Sequence, residues 1–303
     1  MRIKLFSSLL LIVLLSVSFL IPVMAKTESI GNVTIYRGTP TVDGVIAENE
    51  YLTVITLDKI NMKAFDQFEQ NTVPDGFSLK LYLSWNDSGL FVGNSVTDTT
   101  PVTAESGWKF NGDLIQLFAD LGPTISGQHT TDESAIGRRA PLFTTGLDAD
   151  GVLYYLHQCV PSEEILNFVS DGGYQYEGKS TENGWNAEYM IPWKMLIDDI
   201  NTKVEDASLS LSDVKAGTVI NMMAIYNDFN RDRELIGWYA STNTTDSDPF
   251  DWQPEIFGIY GVLDVKEETS PETYDLISGV IAAAGCCFSV LMISKVKKKS
   301  AAK

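Results

Sequence analysis

Leu79-Lys80-Leu81-Tyr82-Leu83-Ser84-Trp85-Asn86-Asp87-Ser88-Gly89-Leu90-Phe91-Val92-Gly93-Asn94-Ser95-Val96 is the stretch that decides the fold. Leu79, Leu81, Leu83 and Trp85 share one face, and Leu90, Val92 and Val96 resume the period beyond Asn86-Asp87-Ser88-Gly89. Alternation at period two on both sides of an Asn/Asp/Ser/Gly cluster predicts a β-hairpin with one face buried. After Asp98 the pattern stops for a polar loop with Pro101 and Gly107, which ends on Trp108. A strand is predicted at once from Asp113 to Asp120, with Leu114, Gln116 and Phe118 on one face and Ile115, Leu117 and Ala119 on the other.

Outward from this stretch the same signals recur. Val33 and Ile35 mark a first strand, and an Asp43-Gly44 turn leads through a short helical turn to a strand at Val54 and Leu57. Further strands are predicted at Val152–Leu156, Tyr174–Glu177, Trp185–Ile191, Val219–Asn227, Leu235–Ala240 and Ile256–Val262. Pro192-Trp193-Lys194-Met195-Leu196 starts a short helix, since proline at a helix's first position forfeits no hydrogen bond. Residues 121–150, rich in Gly, Thr, Asp and Ser, read as a long excursion. The expected fold is all-β: a β-sandwich (jelly roll) of about ten to twelve antiparallel strands over residues 30–265.

The two ends stand outside that fold. Residues 1–25 combine Arg2 and Lys4, an apolar run and Val23-Met24-Ala25, the layout of a secretory signal peptide. Residues 276–294 form an uncharged apolar run followed by Lys295, Lys297, Lys298 and Lys299, which reads as a transmembrane helix with a basic cytoplasmic tail at 295–303. Residues 266–275 would then be a stalk. Its Ser270-Pro271-Glu272-Thr273-Tyr274-Asp275 resembles the sorting signals of Gram-positive surface proteins, with Tyr274 where those carry glycine. The expected location is the extracellular face, anchored to the membrane or cell wall.

Seven of the 22 basic residues lie in residues 1–25 and 276–303 and none of the 40 acidic ones does, so residues 26–275 hold 15 against 40, a net −25. Such a surface repels nucleic acid and anionic lipid. Cys286 and Cys287 fall in the apolar run, which leaves Cys159 alone, so the body is held by its core without a disulfide. With only His129 and His157 present, a zinc cluster or a histidine triad is not expected. Asp228-x-Asn230-x-Asp232 opens like a calcium loop, but Arg233 stands where such a loop requires glycine, which excludes an EF-hand. Asp43, Asp98 and Asp120 are candidate oxygen ligands for a looser structural calcium. Trp85, Trp185 and Trp193 sit within apolar alternations and are expected in the core, whereas Trp238 stays unassigned.

Trp108 beside a glycine in a polar loop, next to a strand carrying Gln116, offers what a pyranose needs: a flat face to stack on and an amide for the hydroxyls. Several passages, taken in order, resemble a family 9 carbohydrate-binding module of the DOMON-like group. They are Asp43-Gly44 with Glu48 and Tyr51, Tyr82 to Asp98, Trp108 with Asp113 to Phe118, and Gly184-Trp185-Asn186-Ala187-Glu188-Tyr189-Met190-Ile191-Pro192-Trp193. Asn227-Asp228, Trp238, Trp252-x-Pro254 and Phe257-Gly258 complete the order.

The resemblance implies non-catalytic binding of an oligo- or polysaccharide, in support of polysaccharide breakdown. It makes Trp108 one aromatic jaw and Trp252, or Phe250, the other. Gln116 takes the place of the family's sugar-contacting glutamate, which exchanges a charge-assisted hydrogen bond for a neutral one. Arg138 is a further candidate contact, and Glu188 is read as a fold residue. Two other readings stand beside this one. Some DOMON-like relatives bind haem for electron transfer, for which Met190, Met222 and Met223 are the available thioethers. The domain can also be a structural surface domain without a ligand.

Overall fold

In the computed structural model the described residues are 30–106, 110–121, 140–151, the backbone of 153–158, 175–203, 207–242 and 257–265. The central hairpin forms as β4 (Ser78–Trp85) and β5 (Gly89–Thr97), paired Leu79 to Val96 and Leu83 to Val92. Its turn is built by Asn86, whose side-chain oxygen accepts the backbone N–H groups of Ser88 (2.8 Å) and Gly89 (3.3 Å). Three further strands extend the hairpin into a five-stranded antiparallel sheet in the order β2 (Thr53–Leu57), β4, β5, β10 (Gly184–Pro192), β9 (Tyr176–Thr181).

The second sheet runs β1 (Gly31–Tyr36), β13 (Ile259–Asp264), β11 (Val219–Phe229), β6 (Leu114–Asp120), β7 (Leu142–Leu147), β8 (Leu153–Gln158). Long β11 pairs with β6 along one edge and divides the other between β13 and β12 (Leu235–Ala240), which in turn holds the two-residue β3 (Lys63–Ala64). The described residues thus hold thirteen strands in two sheets, a β-sandwich.

Three expectations need correction. The strands number thirteen among the described residues rather than ten to twelve. They are not all antiparallel: β1 and β13 run parallel from Gly31 opposite Ile259 to Tyr36 opposite Asp264. The stretch 121–150 is not excursion throughout, because Leu142-Phe143-Thr144-Thr145-Gly146-Leu147 is a strand with every residue buried. A strand covered on both faces loses the alternation that reveals half-buried ones.

The two sheets meet through one apolar core. Leu81 and Leu83 of β4, Val92 of β5 and Tyr189 of β10 pack with Leu117 of β6 and Ala224 of β11, all fully buried. Burying such a side chain contributes about 1.5–3 kcal/mol. Trp85, Trp185 and Trp193 lie in this core as expected.

The passage 184–193 shows why its residues are needed. A Cβ on Gly184 would stand 2.1 Å from the Val96 carbonyl oxygen of the neighbouring strand. Trp185, Ala187, Tyr189 and Ile191 fill the core. Trp193 begins the helix α1 (Trp193–Lys203) and its indole N–H donates to the Asn86 carbonyl (2.7 Å), tying the helix to the hairpin turn. None of the described helices is long and apolar enough to cross a membrane. Residues 1–25 and 266–303, with the signal, stalk and membrane readings, lie outside the described residues.

Candidate functional site

Each sheet has an outer face, and both carry buried polar groups. On the five-stranded sheet the segment 41–51 crosses the strands, with Tyr51 packed on Phe91 and Met190. Glu188 projects from β10 into this layer. Its carboxylate accepts the Tyr51 hydroxyl (2.9 Å) and the Asp43 backbone N–H (3.2 Å). Burial pushes the Glu188 carboxyl above the ordinary glutamate value against these two bonds, and burial with the facing carboxylate raises the Tyr51 phenol. Glu188 is thus a fold residue.

On the other sheet, the outward positions of β6 and β11 alternate with those in the core. Gln116 lies opposite Thr144 of β7 and Ile225 of β11, while Asn227 lies opposite Leu114 of β6 and Trp238 of β12. Gln116 and Asn227 are therefore diagonal neighbours, and the Asn227 amide nitrogen donates to Gln116 Oε1 at 3.2 Å. Apolar residues frame the pair: Phe118, Leu142, Met223, Ile225 and Trp238 form a cluster on this face, with Phe68 tilted against Trp238 at a ring-centroid separation of 5.0 Å. Gln116, Thr144 and Asn227 are at most 6% exposed, yet Asn227 Oδ1 and Thr144 Oγ1 have no hydrogen-bond partner in this structure. A buried polar atom left without a partner costs about 1–3 kcal/mol, so its retention calls for a reason.

One hydrogen bond between two primary amides consumes one donor and one acceptor. Whichever way each amide is turned, the pair keeps one free carbonyl and one free NH₂ group. That is the complement of a sugar hydroxyl pair, in which one O–H donates and the next accepts. A carboxylate at position 116 would offer only acceptors.

Behind this face lie three carboxylates: Asp113 just before β6, Asp228 near the end of β11, and Asp98 just after β5 of the other sheet. Tyr226 donates to Asp98 Oδ2 (2.7 Å) and Tyr239 to Asp228 Oδ2 (2.6 Å). Asp113 accepts the backbone N–H of Val102 (2.6 Å) and of Phe229 (2.9 Å). Burial raises Asp113 to about 8 despite those two bonds, and raises Asp228 to about 6, with the Asp98 charge adding to both.

Of the residues singled out in the sequence, Gln116 is placed at the centre of the outer polar pair. Trp108, Trp252, Phe250 and Arg138 lie outside the described residues. Asp43, Asp98 and Asp120 are not brought together. Asp43 sits over β10, Asp98 lies near Asp113 at the start of β6, and Asp120 is the last residue of that strand, at its other end. No group of three acidic, histidine or cysteine side chains among the described residues is arranged to hold a metal. Met222, Met223 and Met190 belong to three separate apolar clusters and do not converge. Sequence reasoning gave Asn227 no role and missed Thr144. The available signal was polar residues at outward positions of strands, Asn227 in particular beside the buried run Met222 to Tyr226.

No protein-family model matches the sequence, and no curated protein matches it. Among solved structures, the chain is similar to a family 9 carbohydrate-binding module from Caldicellulosiruptor kristjanssonii in complex with cellotriose, at 14% identity and a TM-score of 0.47, covering 79% of this chain and 96% of that one. The structure of a family 9 module from the same organism in complex with glucose gives 14% identity and a TM-score of 0.48, covering 79% and 99%.

Proposed function

We propose that this chain is a non-catalytic carbohydrate-binding protein that holds an oligosaccharide on the outer face of the β6–β11 sheet. The observation that carries the reading is the Gln116–Asn227 amide pair with Thr144 beside it, a neutral polar floor with unsatisfied atoms inside an apolar frame. Ligand hydroxyls supply the missing partners, and the floor's lack of charge favours uncharged sugars. Trp108 and the Trp252 loop, with Phe250 and Arg138, supply the stacking faces and rim, a role that rests on the sequence resemblance. The apolar run at 276–294 and the signal-like residues 1–25 support display at the extracellular face, where the protein would hold polysaccharide for breakdown by other enzymes.

Calorimetric titration of the purified chain with cello- and xylo-oligosaccharides tests this. Binding is expected, and Trp108→Ala should weaken it at least tenfold, since base or sugar stacking on an aromatic ring contributes on the order of 1–3 kcal/mol. Absence of heat with every neutral glycan would overturn the proposal.

A further inference from the structure

The connection between β5 and β6, residues 98–113, is fastened along both limbs. Asp113 accepts the Val102 N–H through its carboxylate and donates its own N–H to the Val102 carbonyl (2.7 Å). Glu105 N–H donates to the Asn111 side chain (3.2 Å), and a Cβ on Gly112 would lie 2.2 Å from the Ala104 nitrogen, so the limbs touch backbone to backbone. The last fastener comes from elsewhere. Arg233, in the turn between β11 and β12, donates from one guanidinium nitrogen to the carbonyl of Thr103 (2.5 Å) on one limb and of Asn111 (3.3 Å) on the other.

Arg233 does this from a backbone conformation that favours glycine. Its φ is +64°, and among the described residues the only other non-glycine in this region is Asn49, a residue type that tolerates it. The turn itself is set by Asn230, whose side chain accepts the N–H groups of Asp232 (2.9 Å) and Glu234 (3.0 Å), while Arg233 N–H donates to the Asn230 carbonyl (2.8 Å). Such a turn followed by a left-handed residue is usually completed by glycine. Arginine here gives up backbone ease for a side chain that bridges two strands of another loop, and an outlier of this kind points to function.

We propose that Arg233 is a positioning residue for the carbohydrate site: it clamps together the two limbs, 102–106 and 110–113, that flank Trp108 in the sequence. The inference rests on the proposed function for its ligand and on the geometry alone for the clamp. Limbs held together before the ligand arrives spare the cost of bringing them together on binding. Arg233 touches no ligand in this role. It acts through the loop.

The test uses Arg233→Gly, which relieves the backbone while removing the clamp, and Arg233→Asn as a second variant that also tolerates the left-handed turn. Amide hydrogen exchange at Thr103–Glu105 and Phe110–Asn111 should accelerate about tenfold in both variants, with thermal stability unchanged or raised. Affinity for a cello-oligosaccharide should fall about tenfold. A purely structural role predicts the reverse, lower stability with affinity retained. Unchanged exchange in both limbs, or faster exchange with unchanged affinity, would overturn the proposal. If the wild-type chain binds no glycan the proposed function fails, and accelerated exchange in both limbs would still support Arg233 as the fastener of this connection.

Discussion

Two buried polar groups, one on the outer face of each sheet, meet the same problem in opposite ways. Over the five-stranded sheet, the buried carboxylate of Glu188 is met by the Tyr51 hydroxyl and the Asp43 N–H, groups supplied by the chain itself. Over the larger sheet, Gln116 and Asn227 meet each other, while Asn227 Oδ1 and Thr144 Oγ1 remain without a partner. The difference teaches how to tell a fold residue from a binding residue when both are buried and polar. The first kind has its hydrogen bonds complete within the chain, and the second leaves a donor or acceptor for something else.

The sharpest way to break this comparison is Glu188→Ala. It leaves a buried hydroxyl and a backbone N–H unanswered and should cost about 2–6 kcal/mol in urea unfolding, at about 1–3 kcal/mol for each. Glycan affinity should stay within about twofold at temperatures where the variant is folded. Large loss of affinity at intact stability would mean that the two faces had been assigned the wrong way round.

Next in size is the paired replacement of Gln116→Met with Asn227→Leu, which removes both partners of the outer hydrogen bond and substitutes apolar groups of similar shape. Stability should change by less than about 1 kcal/mol, because no polar atom of the pair is left stranded. Binding should weaken by at least tenfold. Undiminished titration heats would refute the role of the pair.

The smallest effect sharpens the contrast with a third polar cluster, that of Asp98, Asp113 and Asp228, in which each carboxylate accepts at least one hydrogen bond, Asp228 Oδ1 has no partner, and like charges crowd together. The folded Asp228 carboxyl titrates at about 6, above its ordinary 3.8. Its contribution to stability is therefore full below about pH 4 and lost as pH rises through 6. Asp228→Asn keeps an acceptor for Tyr239 and abolishes that loss. Compared with wild type, the variant should gain roughly 1–3 kcal/mol above pH 6 and nothing at pH 4, as thermal melts across pH will report. Asp113 has the same sign with a transition near 8, so the melting temperature should continue to fall between pH 6 and 8 in the wild type and the variant alike.

How much of this was legible in the sequence follows from the reach of each signal. The central hairpin, β10 and the two faces of β6 were readable because one buried face imposes period two and because Asn86 sets its turn locally. β7 was hidden because both of its faces are covered. The parallel pairing of β1 with β13 joins segments more than 200 residues apart, and no local pattern encodes it. For the site, Gln116 was found through its neighbours in the strand. Its partner Asn227 required the β6–β11 register, and Thr144 required a strand that had not been recognised. Arg233 was noticed only as a residue that spoils a calcium loop. The same observation, an arginine where glycine belongs, became informative once the backbone showed that it adopts glycine's conformation.

The parallel strand pair has a mechanical consequence. β13 is held on both sides, by β1 and β11, and its last residue is pinned where the Asp264 carbonyl accepts the Trp85 indole N–H (2.9 Å) and the Arg37 N–H (3.0 Å). A pull on the chain beyond Asp264 loads these bonds along the strand axis, so that they must shear together instead of unzipping one after another. A domain tugged by its tail would yield at high force, with Trp85 as the latch.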